Sequence, residues 1–172
     1  MIKVIGALLI IGTSTIAGFF YAQKFGERCR LIKLWLRILD IFRTEIYFQA
    51  NPLREVFLKT ATLIDDRYFS NAFNWLATSL VFGSDQDLEE AWNRFLTETG
   101  SGILEKNDIL ILRELGSYLG TTDRDDQLEK IKNCRANLEI NLQSAEAERN
   151  KRTGLYRYLG FAMGALLVLW LI

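Results

Sequence analysis

The side chains best placed for chemistry are two carboxylate clusters: Asp85, Asp87, Glu89 and Glu90, then Asp123, Asp125 and Asp126. Close-set carboxylates suit calcium, which gathers roughly six to eight oxygens. Neither cluster has the loop glycine and later glutamate of an EF-hand. Each instead opens an apolar-periodic stretch, where acidic groups complement the positive end of a helix dipole. Capping is the expected role, and no metal ligand is assigned. Ser117 stands in Gly116-Ser117-x-x-Gly120, but no glycine follows two residues on, as a nucleophile elbow requires. No glycine run leads into GK[ST], so there is no P-loop. Histidine is absent, which removes Ser-His and Cys-His nucleophiles, imidazole ligands and a histidine pH switch. The expectation is a non-enzymatic chain with no catalytic residue and no cofactor.

Cys29 and Cys134 sit in helical patterns with basic neighbours and read as reduced thiols of a cytosolic fold, although a disulfide between them stays open. Glu146, Glu148, Arg149, Lys151 and Arg152 read as a solvated helix face near lipid headgroups, whose basic part attracts anionic lipid. The formal charge of the 172 residues is zero, so nothing in the charge balance points to nucleic acid. A single proline, Pro52, and scarce β-branched alternation favour long helices.

Two apolar blocks position everything else. Residues 4–22 carry no charge, and as a helix they would nearly cover the roughly 30 Å hydrocarbon core. A cleavable signal peptide fits worse, because bulky Phe20 stands two residues before a cut at Ala22. The second block, residues 156–172, has an uncharged part (158–172) about 22 Å long as a helix. With Leu155, Tyr156 and a snorkelling Arg157 it approaches a full span, and Tyr156 and Tyr158 suit the interface. Only Lys3 lies outside the first block, whereas Lys24, Arg28, Arg30, Lys33 and Arg37 lie inside it. Arg149, Lys151, Arg152 and Arg157 precede the second block and nothing basic follows. The positive-inside rule then puts residues 24–155 in the cytoplasm and both termini outside. The expected domains are a transmembrane helix over 1–23, a cytoplasmic helical bundle over 24–155 and a transmembrane helix over 156–172. Ser14, Gly18, Ala22 and Gly26, with Gly160 and Gly164, are the candidate helix-packing residues, because small side chains let membrane helices approach.

Between the blocks, apolar spacing predicts an all-α bundle of about six helices. Leu31, Leu34, Trp35, Ile38, Phe42 and Ile46 extend the first membrane helix into the cytoplasm until Asn51-Pro52, with Asn51 as the next cap. A second helix over 52–64 turns Leu53, Val56, Phe57, Thr60 and Ile64 inward. A third over 68–82 uses Phe69, Phe73, Leu76 and Leu80 and breaks at Gly83-Ser84-Asp85, where Asp85 caps the fourth. That fourth helix carries Leu88, Trp92, Phe95 and Leu96; a fifth over 106–119 carries Leu112, Leu115 and Leu119. After Gly120, Thr122 or Asp123 caps a last helix that runs to the C-terminus with the seam Leu128, Ile131, Arg135, Leu138, Leu142, Ala145 and Arg149. First and last helices are expected to lie antiparallel. Trp35, Trp75 and Trp92 are expected in the core rather than at an interface.

Several of these segments match a known family in order. The apolar first span, Asn51-Pro52-Leu53-Arg54-Glu55-Val56, Asp87-Leu88-Glu89-Glu90-Ala91-Trp92 and Leu115-Gly116-Ser117-Tyr118-Leu119-Gly120-Thr121-Thr122-Asp123 are followed by a Gly-Leu-rich terminal span. In this the chain resembles the stage III sporulation protein AB family, itself similar to the inner-membrane platform proteins of type II secretion and type IV pilus systems. It departs from the platform proteins in having one helical domain rather than two, and in topology. The resemblance implies a platform subunit of a sporulation secretion or feeding channel between mother cell and forespore. Implied partners are a cytoplasmic hexameric ATPase of the same operon (stage III sporulation protein AA), other channel subunits and the lipid membrane, with a homo-oligomer left open. The implied location is the mother-cell side of the outer forespore membrane. A membrane-anchored sensory or ligand-binding bundle is the rival, disfavoured because receptors place that bundle outside and follow it with an output domain.

Overall fold

The computed structural model describes residues 2–80, 85–100, 102–120 and 123–171, with side-chain surroundings mainly for residues 26–80, 88–100, 102–120 and 123–151. The described elements are all helical: α1 (Ile2–Arg43), a π-helical turn (Thr44–Phe48), α2 (Leu53–Leu63), α3 (Arg67–Ser79), α4 (Asp85–Gly100), α5 (Lys106–Tyr118) and α6 (Arg124–Leu171). Six α-helices in this order match the periodicity. Contacts divide the chain into two units, Met1–Arg30 with Gln143–Ile172, and Leu31–Leu142.

The Leu31–Leu142 unit is built around aromatic rings. Trp35 is fully buried, with Phe69, Phe73, Trp92 and Phe95 all edge-on to it at centroid distances of 5.9–6.5 Å. Phe42, about two turns beyond Trp35 on α1, and Phe57 extend the cluster, 5.8 Å apart. Edge-to-face pairs set the positive ring edge against the negative face, worth about 0.5–1.5 kcal/mol each beyond burial. Trp92 donates its indole N–H to the Leu112 carbonyl at 2.8 Å, which ties α4 to α5. Trp35 and Trp92 are thus core residues as expected. Trp75 is only half-buried, under the Arg94 guanidinium at 5.1 Å.

Helix starts follow local capping chemistry. Asp66 accepts from the N–H groups of Tyr68 and Phe69 at 3.1 Å and starts α3. Asp123 accepts from the Asp126 N–H at 2.9 Å and starts α6, which makes it the cap; Thr121 and Thr122 lie outside the described residues. α4 is described from Asp85 onward, while Gly83 and Ser84 lie outside the described residues. One expectation is corrected. Asn51 does not cap α2; Pro52 holds that position, and its carbonyl accepts from Glu55 and Val56. The Asn51 amide is drawn away because it donates to the Glu45 carboxylate at 2.6 Å, a stronger charge-assisted bond.

α1 and α6 meet within this unit through Arg135. Its guanidinium donates to the Leu36 carbonyl at 3.3 Å and pairs with Asp40 at 2.7 Å. This explains an arginine in an otherwise apolar seam, where Ile131 and Leu138 are buried. In the other unit, Cys29 and Ala145 are buried and Arg28 faces Glu148 at 4.0 Å. Both cysteines are free thiols, so the disulfide left open by the sequence is not formed.

Among the described residues no helix is long and apolar enough to cross a membrane. Most side chains of residues 2–25 and 152–171, on which both expected spans fall, lie outside the described residues.

Candidate docking surface

Two of the described groups that could do chemistry, Asp108 and Cys134, are held within the fold. Asp108, fully buried, accepts from the Glu105 N–H at 3.0 Å and from the Asn141 amide at 2.7 Å. One donor lies at the start of α5, in a capping box, and the other on α6, so the buried carboxyl is held from two elements. Cys134 lies in a cleft of about 70 Å³ between α5 and α6, beside Glu114, Tyr118 and Lys130. Burial, reinforced by the Glu114 charge, pushes its thiol up from 9.0 to about 12. A thiol held protonated at neutral pH is a poor nucleophile and a poor ligand. The cleft is smaller than the roughly 300 Å³ at which small-molecule sites begin. A larger depression of about 430 Å³ over α5, beside Glu89, Leu110 and Arg113, is open to solvent. Among the described residues no group of three His, Cys, Asp or Glu side chains could hold a metal ion.

The glycines of Gly116-Ser117-x-x-Gly120 serve packing. The Trp92 indole occupies the place where a Gly116 side chain would stand. Gly120 has φ +78°, open to glycine at little cost.

What remains is surface, and its most constructed part is the end of the Leu31–Leu142 bundle at the π-turn. Glu45 is buried there between Lys59 at 2.8 Å and Asn51 at 2.6 Å. The extra residue of the turn directs Glu45 and Ile46 inward and leaves Tyr47 and Phe48 outside, 41% and 67% exposed. Their rings stand edge to face at 5.1 Å. Ala50 then takes a left-handed φ of 55°, which reverses the chain into α2. Sequence reasoning ended the helix here but assigned no surface role. The signal was present: Ile46-Tyr47-Phe48 puts more apolar bulk in a row than one helical stripe can bury, beside a glutamate on that stripe.

Of the candidate membrane-packing residues, Ser14, Gly18, Ala22, Gly160 and Gly164 are helical, but their side-chain surroundings lie outside the described residues. Gly26 is half-buried, with open space where a Cβ would stand. How these residues pack lies outside the described residues.

Comparison with known proteins adds the family. The family model for stage III sporulation protein AB matches residues 3–172. A relative named stage III sporulation protein AB, from Bacillus subtilis (strain 168), is 30% identical over 172 residues, covering 99% of each chain. A solved structure of a stage III sporulation protein AB shares 28% identity with a TM-score of 0.61, over 73% of this chain and 98% of that one. Family model, relative and fold agree over most of the sequence: the chain belongs to the stage III sporulation protein AB family.

Proposed function

We propose that this protein is a non-enzymatic membrane platform subunit of a sporulation channel between mother cell and forespore. Its helical bundle lies in the mother-cell cytoplasm and docks a hexameric ATPase, the stage III sporulation protein AA of the same operon. The observation that carries this reading is that α1 and α6, which Arg135 ties together in the bundle, are also the helices that hold the two uncharged blocks. Two apolar blocks flanked by basic residues on one side fit a hairpin-like insertion into the outer forespore membrane. A bundle with buried carboxylates, an inert thiol and structural glycines suits force transmission or assembly better than turnover.

In this reading, movements of the ATPase reach the membrane through helical legs. A flexible Gly-Ser linker inserted after Gly154 should then abolish spore formation while leaving the protein in the membrane fraction. Full sporulation with the linker in place would refute mechanical coupling.

The small residues Gly160 and Gly164, with Ser14, Gly18, Ala22 and Gly26, give the legs a face on which helices can pack closely, on each other or on another channel subunit. Replacing Gly160 and Gly164 by leucine should reduce co-purification of membrane partners, and undiminished recovery would end that idea.

A further inference from the structure

We draw no further inference here: the strongest candidate, the exposed Tyr47–Phe48 pair at the π-turn, is an apolar patch with nothing in the structure to show what covers it, and the same holds for the face of α5 and α6 that exposes Leu110 and Ile140.

Discussion

The indole of Trp92 fills the space that a side chain on Gly116 would need, so α4 and α5 approach at a distance that only glycine permits. The same indole donates to the Leu112 carbonyl one turn earlier on α5. A glycine that looks like a weak point in a helix is therefore the condition for the close approach of α4 and α5 at Trp92.

Gly116→Ala provides a test by sign. At an exposed helical site this change stabilises by roughly 1 kcal/mol. Here the added methyl meets a fully packed indole, and overpacking costs about 1–3 kcal/mol. Denaturant unfolding should show a lower midpoint for Gly116→Ala, and a raised midpoint would mean that the indole can move aside.

The anchor of the π-turn should behave as a coupled group. Lys59 is 41% exposed and Glu45 9%, so the pair is only partly screened. Lys59→Met should cost about 1 kcal/mol, and Glu45→Ala more, because Glu45 also holds Asn51. A double-mutant cycle for Glu45 and Lys59 should give a coupling of about 0.5–1.5 kcal/mol. Strict additivity would indicate that the ion pair does not organise the turn.

Cys134 predicts an alkaline loss of stability. Its thiol titrates near 9.0 when unfolded and near 12 when folded. Below pH 9 both states are protonated and the preference for the folded state is complete. Between pH 9 and 12 only the unfolded state releases the proton, so stability falls as pH rises. Cys134→Val should flatten that part of the pH profile, and the folded wild-type thiol should resist iodoacetamide at pH 8. Rapid alkylation of Cys134 in the folded protein would contradict the burial.

The order and approximate extent of the helices were legible because apolar residues recur at three and four along each, and because Asp123 and Gly120 punctuate the chain. The aromatic core was legible for the same reason, since Trp35, Phe42, Phe73 and Trp92 all fall on inward stripes. What the pattern concealed was competition among side chains. Asn51 has the chemistry of a cap, yet a buried carboxylate six residues earlier takes its amide. Asp108 falls on the Leu112 and Leu115 stripe, and its burial becomes intelligible only with Asn141 beside it on α6. The run Ile46-Tyr47-Phe48 signals more apolar bulk than one stripe can bury, but not the inserted residue of the π-turn that moves Glu45 in and Phe48 out.

The account depends most on the bundle lying on the cytoplasmic side of a membrane that its own helices enter. Asn71, exposed on α3 and away from both caps and core, offers a reporter site, and buried Cys29 and Cys134 supply a quiet background. An Asn71→Cys variant treated with a membrane-impermeant maleimide should stay unlabelled in intact cells and react fully once the membrane is permeabilised, with the protein sedimenting in the membrane fraction. Full labelling in unbroken cells, or recovery of the chain in the soluble fraction, would contradict the account.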